Sequence, residues 1–219
     1  MIPRTIHHVW TSGDFAPAKF TAGRLSFMEK NPDYSFRFWY VDELLALLAD
    51  EPAIITETLR RRDVPYVLKS DIFRCLVLFE CGGIYVDTDF VCLKSFDPLI
   101  YSRDFCGISP DPDRPGNALM GSERKNPLML EIAVATCKEI KNSLDVRNTQ
   151  FILDAGVNTA AKYLSNMSTI YPKHFFYPFS WNELHRRGEE FPLSYAMHLW
   201  FGMDEDGWTR ASINSATGK

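Results

Sequence analysis

Residues 66–90, YVLKSDIFRCLVLFECGGIYVDTDF, constrain this chain more tightly than any other stretch. From Tyr66 to Cys81 apolar residues recur at helical spacing: Leu68, Ile72, Leu76 and Phe79 stand at i, i+4, i+8 and i+11 and form one stripe. Gly82 and Gly83 stop that helix, because glycine takes the left-handed conformation of a C-terminal cap without a steric penalty. IYVDTDFVCL then reads as a strand. In a strand, alternate side chains face opposite ways, so Tyr85, Asp87 and Asp89 fall on one face and Ile84, Val86, Thr88 and Phe90 on the other.

Two carboxylates side by side between IYV and FV repel each other and lose hydration, a penalty of several kcal/mol per buried ion. Something positive must offset it: a divalent cation bound by hard carboxylate oxygens, or a nearby arginine. Mg²⁺ and Mn²⁺ usually take only one or two protein carboxylates and complete their shell from substrate phosphates, so D-x-D at a strand end suits a metal that holds a diphosphate. D-x-D alone fits a solvent-exposed acidic turn equally well. Asp71 and Arg74 lie at i and i+3 on the preceding helix, off its apolar stripe, where they can converge on the same site. On their own they would be a weak surface ion pair.

The rest of the chain alternates strands and helices, which favours an α/β layered fold. TIHHVW and YSFRFWYV (34–41) read as strands, with the loop TSGDFAPAKF between them. Asp42 sits where an N-cap belongs ahead of ELLALLAD, and a further helix covers Ala53 to Arg62 with Pro52 near its first turn. DFCGIS and NALMGS read as short strands, Pro127–Asn142 and Thr159–Asn166 as helices. No repeat or Gly/Ser linker divides the 219 residues, 46% of them hydrophobic, so a single domain over 1–219 is expected.

Net charge is −4, which excludes a broad nucleic-acid surface. Arg60-Arg61-Arg62 and Arg186-Arg187 read as solvated helix ends, with a peripheral contact to anionic lipid as the other use. The N-terminus is not built like a signal peptide, and no run approaches the ~18–20 apolar residues of a membrane span. Five cysteines, with no zinc-type pairing, read as reduced side chains, so the expected address is the cytoplasm, peripheral at most to the inner face of a membrane.

SDIFRCLVLFECGGIYVDTDF closely resembles the DxD segment of glycosyltransferase family 32, retaining enzymes that use sugar nucleotides. That family includes fungal α-1,6-mannosyltransferases and bacterial capsule or lipopolysaccharide enzymes, and the large glucosylating toxins share the local pattern. IPRTIHHVW is similar to the family's opening strand, NALMGSERKNPLM to its mid-domain strand and helix, and AMHLWFGMDEDGW to its C-terminal His-x-Trp motif.

The resemblance implies a GT-A fold, a single Rossmann-like mixed sheet between helices, and transfer of a hexose from a nucleotide donor. UDP-hexose is the favoured donor and GDP-mannose the other; the acceptor is a glycan or lipid-linked hydroxyl. It assigns Trp10 to the base, an indole face being suited to stack there. Asp71 and Arg74 would contact the donor sugar and order the aspartates, and Tyr85 would line the donor pocket. Asp87 would engage ribose and metal, Asp89 would be the firmer ligand to Mn²⁺ or Mg²⁺, and His198 would complete the coordination. Trp200 would donate its indole N–H to the diphosphate. Gln150, Asp154 and Asn158 are candidate sugar or acceptor contacts, although Ala155-Gly156-Val157 departs from the family's Thr-Gly-Pro pattern. EEFPLSYAMHLW is expected to act as a lid over the donor. The oligomeric state is not legible.

Two rival readings use the same residues. DTDFV also fits the opening motif of haloacid-dehalogenase-like phosphatases, with Asp204-Glu205-Asp206 as further metal ligands, but that motif belongs on a first strand and here 86 residues precede it. A sugar-nucleotide-binding protein without turnover is the other; intact Asp87, Asp89 and His198 argue against such decay. An EF-hand beginning at Asp87 fails at its sixth position, where Cys92 replaces the required glycine.

Overall fold

The computed structural model describes all residues except 13–15, 48–51, 111, 144 and 202–219. Six strands form the main sheet: β1 (Thr5–Trp10), β2 (Ser35–Tyr40), β3 (Gly83–Val86), β5 (Asp104–Ser109), β6 (Arg114–Ser122) and β7 (Thr169–Tyr171), in the order β2-β1-β3-β6-β5-β7. β2, β1 and β3 run parallel, β6 is antiparallel to β3 and β5, and β7 is parallel to β5. β4 (Phe90–Cys92) and β8 (Ala196–His198) make a separate antiparallel pair.

The helices are α1 (Thr21–Lys30), α2 (Val41–Ala46), α3 (Ala53–Arg60), α4 (Tyr66–Cys81), α5 (Pro127–Asn142), α6 (Thr149–Leu153) and α7 (Thr159–Leu164), the last two joined by a π turn over Asp154–Asn158. Alternation along the strands gives the sheet two apolar faces. Val9, Tyr85, Cys106 and Met120 pack under α3, α4 and α5. Ile6, Ile84, Val86, Leu119 and Phe105 face Phe27 of α1, Phe90 of β4 and Phe176.

The α4–β3 junction carries both glycines at positive φ, 64° for Gly82 and 101° for Gly83. A Cβ on Gly83 would also stand 2.6 Å from the Thr5 carbonyl and 2.8 Å from His7 Nε2, so the bare backbone lets β3 close onto β1. His7 completes this joint. Its Nδ1 accepts the Trp39 indole N–H at 3.0 Å, which leaves the proton on Nε2 to be donated to the Gly82 carbonyl at 2.9 Å. His8 donates from Nδ1 to the Val86 carbonyl at 2.8 Å, where ladder pairing between β1 and β3 has run out. Both rings are buried, and burial lowers each pKa to about 4.

Four sequence expectations change. IYVDTDFVCL is two strands in two sheets, not one. The Asp87 N–H makes a last rung to Ala118 at 2.8 Å, and the Phe90 N–H then bonds the Asp87 carbonyl at 3.3 Å, closing a turn that takes both carboxylates out of the ladder. Their mutual repulsion and hydration favour that exit. The second helix starts at Val41: Glu43 accepts the Tyr40 N–H at 3.1 Å, and Asp42 stands inside the first turn rather than at the cap. α3 and α7 each stop two residues early, at Arg60 and Leu164. α1 has no counterpart in the sequence reading, because it buries only Gly23 and Phe27 and leaves Leu25 and Met28 exposed, so no stripe marks it.

Candidate active site

A cleft of about 720 Å³ opens beside the carboxyl ends of β1 and β3, where ligands of open α/β sheets bind. Arg74 forms its floor and is buried. One terminal nitrogen lies 3.2 Å from Asp71 Oδ1 and 3.3 Å from Asp87 Oδ1, and the other donates to the Asn117 carbonyl at 3.0 Å. The guanidinium also lies over the Tyr85 ring, 4.8 Å from its centroid. Burial works against its charge, but Asp87 and its other neighbours outweigh that and hold its pKa above the ordinary range. Arginine is thus the positive group beneath Asp87. Asp71, under the same burial, rises to about 6 in spite of Arg74.

Asp89 is held from a different direction. β8 pairs with β4 so that His198 stands opposite Phe90, and the two rings stack at 4.5 Å. His198 Nε2 then meets Asp89 Oδ1 at 2.9 Å, and the Phe201 N–H donates to Asp89 Oδ2 at 3.2 Å. The Leu199 N–H fixes the Asp89 carbonyl at 2.8 Å. The consequence is electrostatic asymmetry within one D-x-D. Burial raises Asp87 above the usual carboxylate range, whereas for Asp89 the His198 ring and the backbone N–H overcome burial and hold it below.

Asp87, Asp89 and His198 each present a ligand atom, all within 4.8 Å of one another. Two carboxylates and one imidazole suit Mn²⁺ or Mg²⁺, with positions left for phosphate oxygens. The donor set therefore fits the expected ion.

Other expected residues are placed as follows. Trp200 lines the cleft 4.0 Å from the His198 ring at a φ of 57°, a rare conformation for a bulky residue, and its indole N–H donates to the Phe179 carbonyl at 3.3 Å. A bond to diphosphate would have to replace that long one. Tyr85 does not line the cleft; it is buried beneath it and donates its hydroxyl proton to Asp87 Oδ1. Trp10 also lies outside the lining, packed on Phe20 at 5.3 Å, although it ends β1 at the same sheet edge as Asp87. The segment expected as a lid is tied down by β8 and by a bond from the Leu93 N–H to the Tyr195 carbonyl at 2.8 Å. Asp204-Glu205-Asp206 lies outside the described residues.

Gln150 and Asn158 reach the cleft wall, and both donate to Asp154 Oδ1, at 3.1 and 2.7 Å. Between them Gly156 packs directly on the Asp71 carboxylate, where a side chain would collide. Glycine is thus required in Ala155-Gly156-Val157 although its neighbours differ from the family pattern.

Three contributors escaped sequence reading. Asn117 donates to Asp71 Oδ1 at 2.9 Å, yet nothing in NALMGS distinguishes it from a strand polar residue. Tyr177 lines the cleft from the loop that follows the short helical turn Lys173–Phe175 after β7. Arg187, expected to be solvated, donates to the carbonyls of Leu199 at 2.6 Å and Trp200 at 3.1 Å and so braces the His198 segment.

Residues 17–106 match the family described as glycosyltransferase sugar-binding region containing DXD motif. The chain is 28% identical over 133 residues to inositol phosphoceramide mannosyltransferase 3 of Schizosaccharomyces pombe, an overlap of 60% of this chain and 36% of that one. It spans about a third of the length of the fungal relatives it matches. Among solved structures, PaToxG glycosyltransferase superposes with a TM-score of 0.59 at 21% identity, covering 74% of this chain and 69% of that chain. The UDP-bound glycosyltransferase domain of the YGT toxin gives 0.50 at 10% identity, covering 64% and 62%. The expected GT-A fold is the observed one, and within it residues 17–106 are similar to the glycosyltransferase sugar-binding region that contains the DXD motif.

Proposed function

We propose that this protein transfers a hexose from a nucleoside-diphosphate sugar to an acceptor hydroxyl, with retention of configuration, using Mn²⁺ or Mg²⁺ held by Asp87, Asp89 and His198. The observation that carries this reading is the convergence of those three ligand atoms within 4.8 Å in a cleft floored by Arg74. A bound divalent ion would supply charge stabilisation for a departing diphosphate. Arg74 fixes the Asp87 carboxylate, the β4–β8 pair fixes His198 against Asp89, and Trp200 can turn its indole N–H to the leaving group. Asp71 is engaged by Arg74 and Asn117, so we assign no covalent nucleophile. Trp10, at the sheet edge shared with Asp87, is proposed to stack on the base.

UDP-hexose is the favoured donor, a choice supported by the UDP in the YGT toxin structure. A mannosyl donor such as GDP-mannose draws support from the name of the fission-yeast relative, which also supports a lipid-linked acceptor. No helix among the described residues is long and apolar enough to cross a membrane. The described cysteines are all free, which supports a cytoplasmic address.

The test is release of nucleoside diphosphate from UDP-glucose, UDP-galactose and GDP-mannose in Mn²⁺. The reading requires release from one of them, abolished by EDTA and by Asp89→Asn. Binding without release would support the non-catalytic reading. Orthophosphate release from a phosphomonoester, lost in Asp87→Asn, would support the phosphatase.

A further inference from the structure

Tyr177 is 2% exposed, its ring packed against Phe90, His198 and Trp200 at 5.6, 5.9 and 6.0 Å. Among the described residues its hydroxyl has no hydrogen-bond partner. A buried hydroxyl without a partner is a net cost that phenylalanine would avoid in the same space. A phenol hydroxyl ordinarily keeps its proton at neutral pH, so the group is available as a donor.

The position of that donor is informative. Tyr177, Pro110 and Pro112 line both the main cleft and a second cavity of about 540 Å³, so the ring stands at the seam between them. The hydroxyl lies over Gly116 of β6: a Cβ there would come within 3.0 Å of it and 2.8 Å of Ser109 Cβ. Ala118, two residues further along the strand, is the residue whose carbonyl receives the Asp87 N–H. At ~3.3 Å per residue, the hydroxyl stands ~7 Å along β6 from the metal-ligand end of the cleft. A donor with its phosphates at Asp87, Asp89 and His198 would carry its hexose into that reach.

We propose that the Tyr177 hydroxyl is a substrate contact at the seam of the two cavities, donating a hydrogen bond to an oxygen of the transferred hexose; this rests on the sugar-nucleotide reading above. Tyr177→Phe removes the hydroxyl and keeps the ring packing. It should leave the thermal midpoint unchanged or higher and leave Mn²⁺-dependent binding of UDP and GDP within ~2-fold, while weakening the matching sugar nucleotide ~3–10-fold. The probes are UDP-glucose, UDP-galactose and GDP-mannose, each titrated beside its free nucleotide. An unchanged ratio of sugar-nucleotide to nucleotide affinity would overturn the proposal. So would a lowered midpoint with equal loss for both ligands, which would make the residue structural. If the unsubstituted protein bound none of the nucleotides, the donor reading would fall instead.

Discussion

Asp104 and the Asp87–Asp89 pair are both carboxylates taken into the fold beside strands of one sheet, and they are treated in opposite ways. Asp104 is fully buried and closed. One oxygen accepts the Ser168 N–H at 2.6 Å and its hydroxyl at 2.9 Å, and the other accepts Asn126 Nδ2 at 2.6 Å and Arg103 Nε at 3.0 Å. Those bonds outweigh burial and hold its pKa below the usual range. Asp87 and Asp89 keep 25% and 16% of their side chains exposed in a cleft, and their pKa values move in opposite directions. Donors saturate a carboxylate that joins strands; a carboxylate kept for a ligand is oriented by fewer donors and keeps part of its surface open to the cleft.

The largest effect that sharpens this contrast is acid sensitivity of the joint beneath the cleft. His7 and His8 have folded pKa values of about 4 against 6.5 for the unfolded chain. The unfolded state therefore binds more protons between those values. Stability is full above about pH 6.5 and falls as pH drops toward 4, by about 3 kcal/mol for each ring at ~1.4 kcal/mol per unit. Asp104, with a lowered pKa, stays ionised through this window, and its contribution is lost only at still lower pH. Urea midpoints at pH 7, 6, 5 and 4.5 should fall steadily; a flat profile would show that burial does not hold the two rings neutral.

Next in size is Asp104→Ala, which strands buried donors on Asn126 and Ser168 and should cost about 3 kcal/mol in urea unfolding. Nucleotide affinity of the folded protein should not change. Asp89→Asn should do the reverse, keeping the urea midpoint and weakening metal-dependent nucleotide binding on the order of 100-fold, the upper end of the loss that follows removal of a metal ligand's outer partner. Matching stability losses in the two variants would erase the distinction between closed and open carboxylates. Smallest is Trp10→Ala: loss of base stacking should weaken nucleotide binding by about 1–2 kcal/mol, ~10-fold, read by titration. No change would remove Trp10 from the site.

Local patterns carried much of this into the sequence. The stripe from Leu68 to Phe79 and the glycine pair mark α4 and its end, and an acid pair after an apolar run marks the site. The break of the strand at Asp87 was not legible, because alternation continues through IYVDTDFVCL and only the rung to Ala118 shows where it stops. His198 came from the family's HLW context; its approach to Asp89 depends on pairing between β4 and β8, 108 residues apart at Phe90 and His198, which no spacing rule encodes. Asn117 and Tyr177 carry no signal of their own, since an asparagine in a strand and an aromatic in FFYPF are ordinary core and edge residues until the cleft is seen.

The central claim is that the open carboxylates hold a cation that holds a diphosphate. Its most direct test is calorimetric titration of UDP and GDP into the protein with Mn²⁺, repeated with EDTA and on Asp89→Asn. Binding of one nucleotide in Mn²⁺, lost on chelation and in the variant while the protein stays folded, is the predicted result. Equal binding with and without metal, or no binding of either nucleotide to the folded protein, would contradict it.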